Sequence, residues 1–190
     1  YSHSVAALLR AGLIQALGLL GEFMACLGVH FALSGDDVVA LLSKSSDEER
    51  LTFLQEEIEE RYFEEPAAYI AQSDKAWDAM HRALGGGLLS YDDGEYPLNH
   101  AVLGGEPLYG EDDYIMSLKT PAQVKDVAAA IADISNEQFR DRYNAIDSRE
   151  YGFELTDEDF QYTWEWFQSV RSLYQTAASE GRHVLFTADQ

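Results

Sequence analysis

The sequence predicts an α+β fold: a single compact domain in which several helices pack on a small, mostly antiparallel sheet. Three stretches of alternating or continuous apolar residues, 26–33, 114–118 and 184–186, are typical of strands. Between them, apolar residues recur every three or four positions after Ser or Thr, as in capped helices. Strands and helices do not alternate one by one, so the pattern favours α+β over a parallel α/β sheet.

Composition indicates one domain with a substantial core. A chain of 190 residues lies in the single-domain range. Hydrophobic residues make up 46% of it and aromatic residues 12%, which excludes the low hydrophobicity of disordered chains. We therefore expect a globular protein with an aromatic-rich interior.

The charge balance restricts the partners. The chain has 34 acidic against 13 basic residues, a formal net charge of −21. A field of this sign repels nucleic acid and anionic membranes, and it attracts a basic protein. An acidic surface that only maintains solubility is the alternative explanation.

Residues 1–23 differ from the remainder and are expected to be an appended apolar helical segment, with the domain proper at 24–190. The segment lacks the basic region of a signal peptide, and Arg10 and Glu22 interrupt it as a membrane span. Its apolar face requires burial against the domain or another chain, so a homo-oligomer through residues 1–23 is one hypothesis. An expression or upstream-translated extension is another.

Cysteine usage indicates the compartment. Cys26 is the single cysteine, so the chain can form neither an internal disulfide nor a cysteine-based zinc cluster. A reducing cytoplasm fits this usage. We expect Cys26 to be a small buried residue rather than a nucleophile.

The first half begins with a half-buried strand over residues 26–33, which carries Leu27, Val29, Phe31 and Leu33 on one side. Capping pairs start the next two helices, Ser34 with Asp37 and Ser46 with Glu49. The second helix has Leu51, Leu54, Ile58 and Tyr62 at helical spacing, and Pro66 ends it.

A further helix is predicted around Trp77. Trp77, Met80, His81 and Leu84 follow the i, i+3, i+4, i+7 spacing of one buried face. Gly85 stands where a left-handed C-terminal cap is expected.

The second half contains three more capped helices. Their starts are Thr120 with Gln123, Ser135 with Gln138, and Thr156 with Asp159. The last helix, about 157–179, is the longest and is rich in aromatic residues. Gly181 ends it, and residues 184–186 form a terminal strand.

The long connection at residues 85–110 has seven Gly and two Pro and is a candidate functional loop. His100 lies in it. His81, on the apolar helix face, is expected to be a core residue. Together with an acid such as Asp78 or Glu106, the two histidines could form a general acid–base site, which makes them the weak catalytic candidates.

Acidic loops provide the candidate binding residues. Neither 92–95 nor 110–113 has the ligand spacing of a calcium loop, and no nucleotide fingerprint, zinc motif or nucleophile elbow occurs. We therefore predict no metal and no cofactor. The predicted binding residues are Asp92, Asp93, Glu95, His100, Glu106, Glu111, Asp112 and Asp113.

Several segments, in order, resemble the YfbM-like family, domain of unknown function 1877. They are residues 24–42 (MACLGVHFALSGDDVVALL), 74–81 (DKAWDAMH), 97–105 (PLNHAVLGG) and 120–124 (TPAQV), followed by the long aromatic helix and final strand. The resemblance covers residue 24 to about 186 and implies a compact cytoplasmic bacterial α+β domain. It implies no established activity, so no catalytic residue is carried over.

Two functional hypotheses follow. The first is a non-enzymatic interaction domain, an acidic immunity or inhibitor protein that binds a basic toxin or effector; the charge, the small size and the missing catalytic motifs favour it. The second is a small-molecule-binding or hydrolytic enzyme with its site near residues 85–110. The second hypothesis requires His81 and His100 to line one pocket.

Overall fold

The computed structural model of the protein describes residues 27–64 and 67–189. Its centre is a five-stranded antiparallel sheet in the order β2-β1-β5-β4-β3. The strands are β1 (Gly28–Leu33), β2 (Ile70–Asp74), β3 (Glu106–Pro107), β4 (Tyr114–Lys119) and β5 (His183–Asp189). With helices on the sheet, the α+β prediction is confirmed.

Helices cover both faces of the sheet. They are α1 (Gly35–Leu42), α2 (Asp47–Phe53), α3 (Glu60–Glu64), α4 (Ala76–Leu84), α5 (Pro121–Ala132), α6 (Asn136–Asn144), α7 (Ser148–Tyr151) and α8 (Asp157–Glu180). The larger core lies between the sheet and α4, α5, α6 and α8, and a smaller core lies under α1 to α3. No helix in the described part of the chain has the length and apolarity needed to cross a bilayer.

The first strand is buried on both faces, not on one as the sequence predicted. Phe31 and Leu33 face the smaller core, whereas His30 and Ala32 face the larger one, and all four are 0% exposed. The reason is that β1 lies between β2 and β5 with helices on either side. The strand starts at Gly28, and Cys26 lies outside the described residues.

The predicted helix caps are present. Complete capping boxes join Ser34 with Asp37, Thr120 with Gln123, and Ser135 with Gln138. Ser46 also accepts from the Glu49 amide, but the Glu49 carboxylate bonds Ser45 instead of returning to Ser46. These local interactions set the helix starts that the sequence predicted.

The predicted second helix is divided by a π-helical segment, Leu54–Glu59, between α2 and α3. Leu54, Ile58 and Tyr62 are buried at intervals of four residues. A π-helical turn is wider than an α-helical one, so it keeps this four-residue spacing on one face. The predicted end at Pro66 lies outside the described residues.

The long helix α8 has the predicted ends. Thr156 accepts from the Asp159 amide at its start, and Gly181 adopts the left-handed conformation, φ 66°, at its end. Phe160, Phe167 and Tyr174 are 0% exposed, and the Phe167 ring stacks on Phe139 with 4.7 Å between centroids. The helix therefore forms the centre of the larger core.

The predicted left-handed cap at Gly85 is wrong. Gly85 ends α4 with φ −87°, and the reason for glycine here is space. A Cβ at this position would lie 3.2 Å from the Asp93 carbonyl oxygen and 3.0 Å from that of His81. The close approach of two backbone segments explains this glycine.

Two elements had no clear signal in the sequence. Strand β2 buries only Ala71 and Ser73, so its apolar alternation is weak. Helix α7 has four residues and begins at the Asp147 cap. The predicted structureless connection also contains a 3-10 helix, Leu98–Ala101, and strand β3.

Two glycine substitutions test the packing of β1. Gly28→Ala would place a Cβ 2.6 Å from Trp77 Cδ1 and 2.7 Å from Ser73 Oγ, so we expect a loss of about 1–3 kcal/mol in the free energy of unfolding. Gly35→Ala, in α1, meets nothing within 4 Å. Urea unfolding should show Gly35→Ala unchanged or more stable by up to about 1 kcal/mol. Equal losses in both variants would contradict the packing argument.

Candidate functional site

The first part of the predicted functional loop is a fixed turn anchored to α4. The Asp93 carboxylate accepts from the amides of Gly86 and Leu88, both at 2.8 Å. His81 Nε2 bonds the Ser90 carbonyl at 2.8 Å, and Arg82 donates to the Gly87 carbonyl at 3.2 Å. Asp93 thus holds the loop together, although the sequence suggested a binding role.

His81 lies in the core. Its side chain is on the buried face of α4, and the residue is 1% exposed. Burial lowers its pKa to about 4. The buried imidazole does not supply the accessible histidine that the enzyme hypothesis requires.

His100 is half-buried and has its own partners. Its Nδ1 bonds the Asn99 side chain at 2.8 Å, and its ring meets Tyr96 edge to face at 5.0 Å. Asp78, the acid considered for a joint site, bonds Arg82 at 2.6 Å. Glu106 is exposed on β3. His100 and these acids are therefore held by separate contacts rather than in one catalytic constellation.

The remaining predicted binding residues are exposed, in two places. Asp92 and Glu95 flank the turn on α4, on the side of the larger core. The 111–113 loop is attached to α2, on the other side, because the Gly110 amide donates to Asp47 Oδ2 at 2.9 Å. No group of three or more potential metal ligands forms among the residues that the structure describes.

The acids of the 111–113 loop lie close to α2. Desolvation, the hydrogen bond that the Tyr109 hydroxyl donates to Asp113 and the charges of the nearby acids, including Glu111 and Asp47, together raise the pKa of this hydroxyl. Asp47, Glu48 and Glu49 form the first turn of α2. Acids distant in sequence thus share one surface.

The sequence analysis missed a buried polar cluster formed by His30, Ser117, Lys119 and Tyr174. These four side chains bond five consecutive backbone carbonyls, those of residues 100–104. Tyr174 donates to His100 and Ala101, His30 bonds Ala101, Lys119 donates to Val102, and Ser117 donates to Leu103 or Gly104. The cluster lets an irregular segment pass through the core without unpaired carbonyls.

Sheet register brings the cluster together. His30 and Ser117 both pair with Phe186, from opposite sides of β5, so they lie in one row across the sheet. Lys119 is two residues beyond Ser117 on the same face of β4. Tyr174 reaches the same segment from α8. No motif in the linear sequence joins these positions.

Lys119 is fully buried, and its Nζ makes its hydrogen bonds within the cluster and to the segment that the cluster supports. It donates to the Val102 carbonyl, to the Ser117 carbonyl at 3.3 Å and to Ser117 Oγ at 3.1 Å, which matches its three protons. Burial holds the pKa of Lys119 well below its usual value. Sequence offered one signal: a lysine immediately after the predicted strand end at Leu118.

Ser117 and Lys119 have the composition of a serine–lysine catalytic pair, but they are not accessible. Both residues are 0% exposed. The Ser117 hydroxyl proton is directed to the Leu103 carbonyl at 2.6 Å, not to a substrate position. Their described contacts support a structural role.

The fold and these contacts define an acidic α+β domain whose most unusual polar groups are buried. The sequence profile of the family described as "Domain of unknown function (DUF1877)" matches residues 24–187, and the chain belongs to that family. Residues 1–23 lie outside the match. This family assignment agrees with the resemblance seen in the sequence.

A solved structure supports the fold. The chain is similar to the crystal structure of YfbM from Escherichia coli, described as a protein of unknown function, with a TM-score of 0.59 and 19% sequence identity. The match covers 85% of this chain and 99% of YfbM. At this identity the similarity concerns the fold alone. No curated protein matches the sequence.

Removing the Ser117 hydroxyl should test the buried polar cluster. Ser117→Ala leaves the Leu103 carbonyl and one Lys119 proton without their partner, so we expect a loss of about 1–3 kcal/mol in the free energy of unfolding. Ser179→Ala is the matched control, because the Ser179 hydroxyl bonds an exposed carbonyl. Urea unfolding that ranks the two variants equally would argue against the cluster.

Stability should fall in acid because of His30 and His81. Burial lowers the pKa of His30 from 6.5 to about 3 and that of His81 to about 4. Among the described residues, Nδ1 of each ring has no hydrogen-bond partner, so a second proton bound there would have no acceptor. The unfolded chain binds that proton below pH 6.5, so stability is complete above this pH and is lost on acidification. Between about pH 7 and pH 5 each histidine should contribute a loss of about 2 kcal/mol.

The measurement compares the wild type with His30→Gln and His81→Gln by urea unfolding at both pH values. Glutamine can keep the bond to the carbonyl and does not titrate. Each variant should lose less stability than the wild type on acidification and show the same pH dependence above about pH 7. A wild-type pH dependence unchanged in both variants would rule out the histidines as its source.

Proposed function

We propose that this protein is a cytoplasmic protein-interaction domain, an acidic immunity or inhibitor protein that binds a basic toxin or effector. The observation that carries the proposal is the placement of charge. Seven of the thirteen basic side chains bond groups of the same domain, and most acidic side chains face solvent.

The ion pairs and one buried lysine support this division. Five arginines pair with acids of the same domain: Arg50 with Asp47, Arg61 with Asp37, Arg82 with Asp78, Arg140 with Asp157 and Arg182 with Glu180. Lys119 is inside the core, and Arg171 donates to the carbonyls of Ala132 and Ile134. Seven basic side chains are thus engaged within the domain, against 34 acidic residues in the chain.

The negative field belongs to the domain. Arg10 and Glu22 cancel within residues 1–23, so the −21 charge arises from residues 24–190. Glu56, Glu57 and Glu60 are exposed on the helices over the smaller core, and the 111–113 loop adds three acids close by α2. Such a surface accelerates the encounter with a basic protein, and salt screens this attraction.

The enzyme hypothesis has less support. It depends on an accessible general base near residues 85–110, whereas His81 is buried and His100 bonds Asn99. Two shallow grooves lie elsewhere, at α6 and at the start of α8. A binding function requires no such base.

Affinity capture at low salt tests the proposal. The immobilised full chain is exposed to a lysate of the source cells, and each captured basic protein is purified and titrated by calorimetry at about 50 and about 500 mM salt. We expect a partner whose affinity falls by at least about tenfold at high salt, because rim charges are screened. If the partner is toxic or enzymatic, one equivalent of the chain should inhibit it.

Two triple variants with equal charge changes are the controls. One neutralises Glu111, Asp112 and Asp113 as amides, and the other neutralises Glu56, Glu57 and Glu60. If one triple variant loses more affinity for the partner than the other, its three acids belong to the face that binds. Capture of no basic protein, or an affinity that does not change with salt, would refute the proposed function.

A further inference from the structure

We infer that the partner is held by an exposed apolar surface on the α4 side of the molecule, formed by Leu88, Leu89 and Phe153. We call these three residues the leucine-loop patch. The inference rests on the proposed function and assigns its binding face: an apolar group on a basic protein inserts at the patch while basic side chains meet the acids around it.

The three residues of the patch are exposed, and they are linked through the side chains beneath them. Leu88 is 50% exposed, Leu89 38% and Phe153 62%. Phe153 contacts Tyr151 with 5.3 Å between ring centroids, and the Arg82 guanidinium lies 5.7 Å from the Tyr151 ring. Arg82 also donates to the carbonyl of Gly87, the residue before Leu88. The buried side chains of Arg82 and Tyr151 thus link the turn that carries the two leucines to Phe153.

The two leucines are held rigidly in an exposed position. The Leu88 amide donates to the Asp93 carboxylate. Just after Leu89, the Ser90 carbonyl bonds Nε2 of the buried His81. Tyr91 packs against the larger core immediately beyond. The loop is therefore fixed by buried partners on both sides of the leucines. Ordering before binding reduces the entropy lost when a partner docks.

Charge around the patch specifies the chemistry of the partner. Residues 85–95 contain Asp92, Asp93 and Glu95 and no lysine or arginine. Residues 147–154 contain three acids against Arg149. Arg82 is 6% exposed and paired with Asp78, so it contributes little to the surface field. An apolar centre with an acidic rim fits a basic partner that presents an apolar side chain.

A second copy of this chain fits the patch poorly. Both copies carry a charge of −21, and the acidic rims would face each other. Self-association is nevertheless a distinct outcome that light scattering detects in the experiment below.

Two synthetic peptides separate the apolar contact from the charge. The probe is an amphipathic peptide of lysine and leucine, and its counterpart has every leucine replaced by serine at the same charge. At physiological salt the full-length wild type should bind the lysine–leucine peptide at least about tenfold more tightly. The double variant Leu88→Ser with Leu89→Ser should lose this preference without a change in net charge.

The matched control is Val39→Ser with Leu42→Ser, which removes two comparably exposed apolar residues, 71% and 45%, from α1 on the opposite side of the sheet. It should keep the preference, and thermal unfolding should show both double variants folded. Equal binding of the two peptides, or equal losses in the two variants, would overturn the assigned face while leaving the charge-based function intact. No binding of either peptide at low salt would refute both, and a dimer abolished by Leu88→Ser with Leu89→Ser would assign the patch to a second copy instead.

Discussion

The structure depends on the hydrogen bonding of five consecutive carbonyls that cross the core. Ala101, Val102 and Leu103 are at most 2% exposed, so water cannot satisfy the peptide groups of this irregular segment. Two sheet strands and α8 supply the donors through His30, Ser117, Lys119 and Tyr174. The segment therefore fixes the spacing between the sheet and the helix that packs over it.

This constraint also explains why the long glycine-rich connection is not a lid. Its second part is fixed by the buried polar cluster, and its first part is fixed to α4 through His81 and Arg82. Between these anchors the chain has little freedom, and its exposed side chains keep fixed positions. Rigid presentation of surface groups suits recognition of a partner better than enclosure of a substrate.

Most of the fold could be predicted from the sequence, but little of the candidate site could. Helix starts depend on residues three positions apart, such as Thr120 and Gln123, so local pattern predicted them. Strand β2 and the buried polar cluster depend on neighbours far away in sequence; His30 and Ser117 meet only through their shared partner Phe186. Exposure of Leu88 and Leu89 was equally hidden, because apolar residues are ordinarily expected inside.

Several basic side chains bond backbone carbonyls of the domain, while the exterior is acidic. Arg82 supports the turn at residues 85–94, Arg171 satisfies two carbonyls at the end of α5, and Lys119 serves the crossing segment. Each of these three basic side chains is engaged in a contact within the domain. With 34 acidic residues against 13 basic ones in the chain, the exterior is strongly negative. The same arginine that holds the loop thus supports the exposed leucines, which connects the folding of α4 to the proposed recognition of a basic partner.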